Sequence, residues 1–197
     1  MDKLPSRNPV LLVHGFLRSA RSMKRMQRWL QRRGRDVFVI DLKPSDGTVS
    51  LTELARQLAT YIDNILPVTG KIDLVGYSMG GLVCRDYVQR IDGGARVDRL
   101  ITISTPHHGT SLAYLSRRPG CREMRPTSAF LHLLNGTIQS LERVQFTSIW
   151  TPLNLMILPA SSSRMSIGRQ CQQWVVAHPL MILQKCCFRR IEQLLKG

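Results

Sequence analysis

Gly76-Tyr77-Ser78-Met79-Gly80, with Gly81 behind it, fits the pattern G-x-S-x-G. A serine attacks well only when its hydroxyl is exposed and backed by a base. Small residues on both sides let a strand turn sharply into a helix with the serine at the bend. A glycine-rich structural turn would give the same letters. Here the pattern follows the apolar run Ile72-Asp73-Leu74-Val75 and opens an amphipathic helix, the context nucleophilic chemistry requires. An oxyanion formed by such a serine needs backbone donors. Met79, directly after the serine, offers one N–H, and Phe16 in His14-Gly15-Phe16, after the first strand, offers the other.

The base must come from the histidines. His14 precedes the serine, whereas the order on a turn of this kind is serine, acid, histidine, so a loop-bracing hydrogen bond is its expected role. His107 and His108 could suggest a metal pair, but adjacent residues rarely chelate one ion, and loop hydrogen bonding is the expectation. Of those after the serine (His107, His108, His132, His178), only His178 directly follows a late strand pattern, Cys171 to Ala177. That position assigns it as general base, against the alternative of a surface histidine.

These groups need elements to hold them. Strand and helix patterns alternate along the chain, the mark of βαβ units and a parallel sheet. Val10 to Val13 reads as a buried strand, 20–33 as a helix ended by Gly34, and Asp36 to Leu42 as the second strand. A helix over 51–66 closes at Pro67, Ile72 to Gly76 forms the third strand, and a helix follows over 79–91. Val97 to Ser104 makes the fourth strand, Gln145 to Trp150 and Cys171 to Ala177 two more, and a last helix spans 182–195. Residues 105–144 break the rhythm with Pro, Gly and Arg around two apolar patches, and an insertion of that length suggests a lid.

His14-Gly15-Phe16, the Gly76 to Gly81 elbow and Ser104-Thr105-Pro106-His107-His108-Gly109-Thr110 together resemble the small bacterial triacylglycerol lipases and lipase-like esterases. The last of these is similar to that family's lid-entry motif, and Met124 to Leu131 resembles its lid-closing segment. The resemblance spans nearly the whole chain. It implies a single-domain, minimal α/β-hydrolase fold over 1–197, with about six mostly parallel strands flanked by helices and a lid after the fourth. It also implies hydrolysis of carboxylic esters, acyl lipids first among them, through an acyl-enzyme on Ser78, with no cofactor and no metal. The family would place an aspartate just beyond the fifth strand to orient His178. In Thr151-Pro152-Leu153-Asn154-Leu155-Met156 that position holds Asn154, and none of Asp86, Asp92, Asp98, Glu123 or Glu142 has an obvious claim to replace it. Asparagine can accept from Nδ1–H but cannot stabilise the imidazolium, and it can donate and favour the wrong tautomer. Attenuated activity is one expectation, and a silent hydrolase-fold protein that binds acyl lipid or a partner is the other.

Composition bounds the rest. The chain has 197 residues, 43% hydrophobic and 21% charged, enough for one compact domain. Met1 to Pro9 contains no apolar signal segment, so the expected location is cytoplasmic or peripheral on the inner membrane face. The five cysteines lack zinc spacing and read as reduced thiols. A net charge of +15, from 28 Lys and Arg against 13 Asp and Glu, favours polyanions. An anionic leaflet and nucleic acid are both candidates, beside a merely solvated basic surface, but no nucleic-acid module accompanies the charge. A monomer acting on an ester or acyl lipid, without a specific nucleic-acid partner, is the expectation.

Overall fold

The computed structural model describes residues 7–196, apart from Leu66, Val68, Thr69, Asp92 and Val176. The expected helix end at Leu66, the acidic candidate Asp92 and most of the N-terminal segment read for a signal lie outside the described residues. Six strands form one parallel sheet: β1 (Val10–Val13), β2 (Val37–Ile40), β3 (Ile72–Tyr77), β4 (Val97–Ile103), β5 (Gln145–Trp150) and β6 (Arg169–Gln172). Their order across the sheet is β2-β1-β3-β4-β5-β6, every pair parallel. Among the described residues the α-helices are α1 (Lys24–Gln31), α2 (Leu51–Ile65), α3 (Met79–Arg90), α4 (Pro119–Glu123), α5 (Ala129–Gly136) and α6 (Lys185–Leu194).

Parallel strands need crossovers that cover both sheet faces, so inner strands lose their polar alternation. Val10-Leu11-Leu12-Val13 is fully buried. Leu11 and Val13 face a core shared with Leu54 and Leu58 of α2 and Leu82 of α3. Val10 and Leu12 face the opposite layer, with Met26 and Leu30 of α1 and Phe188 and Ile191 of α6. On that side the Trp29 ring lies tilted against Phe188 at 5.7 Å between ring centres, and Arg33 pairs with Glu192 at 2.6 Å.

Registration brings the chemistry to one edge. Val13 lies beside Gly76, and Tyr77 beside Ile103, so the segments starting at His14, Ser78 and Ser104 all leave the sheet at its C-terminal side. Ser78 N–H donates to Ile103 O at 2.8 Å, and Ser104 N–H donates to Ile149 O at 2.8 Å.

Three expectations need correcting. The last strand covers 169–172 rather than 171–177. Its ladder partner β5 ends at Trp150, which registers with Gln172, so Trp174 and Val175 have no strand left to pair with despite their β propensity. His178 therefore opens a 3₁₀ turn, His178–Ile182, where an irregular loop and then a helix from Ile182 were expected; α6 starts only at Lys185. Residues 105–144 are not one detachable flap. Phe130, Leu131, Leu134 and Leu141 are core, and α5 is tied to α3, since Arg85 Nη2 and Gln89 Nε2 both donate to Leu134 O.

Candidate active site

Ser78 sits between β3 and α3 with φ 53° and ψ −123°, a conformation costly for any residue with a side chain. The neighbouring glycines make it possible. A Cβ on Gly76 would lie 2.6 Å from Gly81 Cα, and one on Gly80 would run into the carbonyls of Val13 and His14. A Cβ on Gly15 would stand 3.0 Å from Ser78 Cβ, so the loop after β1 approaches the serine as closely as a bare backbone allows. Neither Phe16 N–H nor Met79 N–H is taken up by a hydrogen bond among the described residues. Two unengaged donors thus flank the serine.

Ser78 and His178 open into one cavity of about 480 Å³, whose apolar wall includes Leu112, Met124 and Ile157. Ser78 Oγ has no hydrogen-bond partner among the described residues. Tyr77 holds the histidine from behind: its hydroxyl donates to His178 O at 3.1 Å, and the rings lie 4.9 Å apart. A further cavity of about 510 Å³ opens at the other end of the sheet, near Arg99 and Arg169, and contains none of these groups.

Asn154 is buried against His178, with Nδ2 and Nδ1 separated by 3.1 Å. Its orientation follows from its other end. Oδ1 accepts from Met156 N–H at 3.0 Å and Ile157 N–H at 3.1 Å, so the amide cannot be reversed without setting NH₂ against two N–H donors. The NH₂ group therefore donates to Nδ1, and the imidazole proton resides on Nε2. That tautomer cannot accept a proton from serine at Nε2. Burial, and secondarily the cation of Arg18, push the His178 pKa down from 6.5 to about 4.

His14 and His107 are structural. His14 Nδ1 donates to Gly15 O at 3.0 Å and Nε2 accepts from Leu42 N–H at 3.0 Å, the loop brace expected of it. His107 is buried deeper than a loop histidine would be. Arg85 Nη1 donates to its Nδ1 at 3.3 Å, leaving Nε2–H to donate to Thr102 Oγ1 at 3.0 Å. Burial holds His107 well below its usual pKa. Among the described residues no group of three or more His, Cys, Asp or Glu could hold a metal ion, and no helix is long and apolar enough to cross a membrane.

Sequence reasoning missed three residues here. Tyr77 lay inside the motif but was treated as a spacer. Arg18, two residues beyond Phe16, lines the cavity that Ser78 and His178 share. Arg85 is a fully buried arginine two turns after the serine; its position on the buried face of α3 was the available signal.

A sequence model of palmitoyl protein thioesterases matches residues 9–151. A triacylglycerol lipase of Pseudarthrobacter phenanthrenivorans is 33% identical over 116 residues, which cover 55% of this chain and 36% of that protein. The lysosomal thioesterase PPT2 of Homo sapiens is 34% identical over 110 residues, covering 53% of this chain and 35% of that protein. The chain thus spans about a third of the length of the curated relatives it matches. Among solved structures, the mature Bacillus licheniformis lipase BlEst2 superposes with a TM-score of 0.79 at 19% identity, over 98% of this chain and 94% of that one. Aspergillus fumigatus lipase B gives 0.83 at 16% identity, over 97% and 52%. The fold is the α/β-hydrolase fold of these lipases.

Proposed function

Because the chain belongs to the palmitoyl protein thioesterase family, we propose that it is a hydrolase of carboxylic esters or thioesters with a long acyl chain. Ser78 Oγ attacks the acyl carbon while His178 Nε2 takes its proton, which requires that water first carry the imidazole proton from Nε2 to Nδ1 and that the Asn154 NH₂ give up its bond there. The oxyanion is held by the N–H groups of Phe16 and Met79. His178 then protonates the departing alcohol or thiol, and water, deprotonated by the same histidine, releases the acid from Ser78. The reading is carried by one observation: a serine at φ 53° between two unengaged N–H donors, sharing an apolar-walled cavity with a buried histidine. The cavity wall contributed by residues 106–124 would act as the lid, a shorter one than 105–144. Leu17, Leu115, Leu155 and Trp174 are exposed on loops after β1, β4, β5 and β6, around the same sheet edge. Together with the +15 charge they favour peripheral contact with an anionic membrane surface by a single-domain monomer.

A second reading has its own support. The Asn154 amide donates to Nδ1 and fixes the tautomer unsuited to general-base work, which favours a silent acyl-binding protein on the same fold. Wild type and Ser78→Ala are compared for labelling by a fluorophosphonate and for the burst of product from p-nitrophenyl butyrate. Labelling and turnover that vanish together in Ser78→Ala are expected. Wild-type protein that neither labels nor turns over would leave the silent binder as the function.

A further inference from the structure

We propose that Arg18 is a specificity-determining residue that selects ligands with a negative charge close to the scissile bond, on the leaving-group side. This rests on the acyl-ester reading above and names its substrate class.

Arg18 is the only Lys, Arg, Asp or Glu among the described residues lining the cavity that holds Ser78 and His178. Its guanidinium has no ion pair or hydrogen bond among the described residues. With 28 cations and 13 acids many basic side chains must lack a partner, so an unpaired arginine alone says little. Placement decides. Arg18, Tyr77, Ser78 and His178 line the same cavity, and in the proposed mechanism His178 passes a proton to the leaving atom. A charge within reach of that imidazole is within reach of the leaving group.

The backbone beneath it is fixed. Leu17, at φ 52°, donates its N–H to Ser45 O at 2.8 Å; Arg18 N–H donates to Gly15 O at 3.2 Å; and Ser45 Oγ donates to Arg18 O at 2.7 Å. The guanidinium is thus carried on a braced loop that also presents the Phe16 N–H. The acyl chain is accounted for by Leu112, Met124 and Ile157, and a neutral glyceride would leave Arg18 unanswered. A carboxylate or phosphate beside the ester would meet it in a charge-assisted bond, in a site with no competing acid.

An anion on Arg18 would have a second effect. It would cancel the cationic field that now opposes a positive charge on His178, so the substrate would bring a countercharge that Asn154 cannot supply.

Binding separates this from catalysis. Amide analogues carrying one acyl chain and an uncharged, a carboxylate or a phosphate head are titrated by calorimetry into wild type, Arg18→Gln, Arg18→Lys and the nearby exposed control Arg21→Gln. Wild type should bind the better anionic head about tenfold more tightly than the neutral one, the scale of a partly exposed charge-assisted bond. The two anionic heads distinguish a phosphate-bearing from a carboxylate-bearing leaving group, and tighter binding of either supports the inference. Arg18→Gln should abolish the preference, Arg18→Lys should keep part of it, and Arg21→Gln should keep it whole. No preference in wild type, one that survives in Arg18→Gln, or one lost equally in Arg21→Gln would overturn it. Hydrolysis of the matching esters is followed separately. Turnover without charge preference removes the inference and keeps the hydrolase, whereas charge-selective binding without turnover does the reverse.

Discussion

Asn154 matters for what its two ends do at once. Oδ1 is spent on the Met156 and Ile157 N–H groups, and only NH₂ is left for His178. In Asn154→Asp one carboxylate oxygen can keep both backbone bonds while the other accepts Nδ1–H, freeing Nε2 for the serine proton. The variant should raise kcat at least about tenfold, roughly 1.4 kcal/mol of barrier, with KM little changed because the side chain does not line the cavity. Ester hydrolysis by wild type, Asn154→Asp and Asn154→Ala at neutral pH measures this, and an Asp variant no faster than wild type contradicts it. The pH profile is a separate test. A histidine base works when neutral, hence above its pKa, and burial and Arg18 hold His178 at about 4. Wild-type kcat/KM should stay level from neutrality down to that region and fall only below it. The aspartate should shift this acid limb upward by about one pH unit or more. A wild-type limb near 6.5, with the fold intact by circular dichroism, would mean that the base titrates as an unburied histidine and would contradict the depressed His178 value. The sequence displayed Asn154 as a departure. It did not display which way the amide points, since that depends on two N–H groups that converge only once 154–157 turns.

At the scale of elements, the elbow works because α3 is pressed onto β1 and β3 with nothing between. Gly80→Ala would put a methyl against the Val13 and His14 carbonyls, which are backbone atoms at the end of the inner strand β1 and its exit and cannot swing aside. Urea unfolding should show a loss of roughly 1–3 kcal/mol, together with lower activity. Gly136→Ala, at the end of α5 with nothing within 4 Å, should be neutral or slightly stabilising. Equal stabilities for the two variants would refute the close-approach account. How much of this was legible follows from what each element depends on. Gln145–Trp150 was read to the residue because a buried parallel strand declares itself in its own composition. The end of β6 is set by where β5 stops, and no local pattern carries that. Likewise, the second half of 105–144 looked like lid sequence because its packing partners, Arg85 and Gln89, lie some fifty residues earlier.

For the molecule as a whole, the exits of β1, β3, β5 and β6 carry the proposed reacting groups, while apolar tips such as Leu115 (85% exposed) and Trp174 (74% exposed) project around the same edge. Binding to vesicles should therefore be stronger for anionic than zwitterionic lipid and should weaken as salt rises, because exposed charges are screened beyond about 10 Å at 0.1 M. Sedimentation of protein with vesicles of either composition checks this, and equal binding to both at all salt concentrations would refute it. The sheet order has a consequence of another kind. β1 is among the most apolar segments and lies inside the sheet, yet while β2 reaches it from residue 37, its other ladder joins Val10 to Asp73. During synthesis β1 therefore emerges first and waits with one edge unpaired until β3 is made. Closing that loop costs entropy before any contact repays it, an order that favours slower folding and leaves the waiting edge open to pairing with another chain. The connectivity that brings the candidate site to one end of the sheet is also what leaves an edge of β1 uncovered until residue 73 is made.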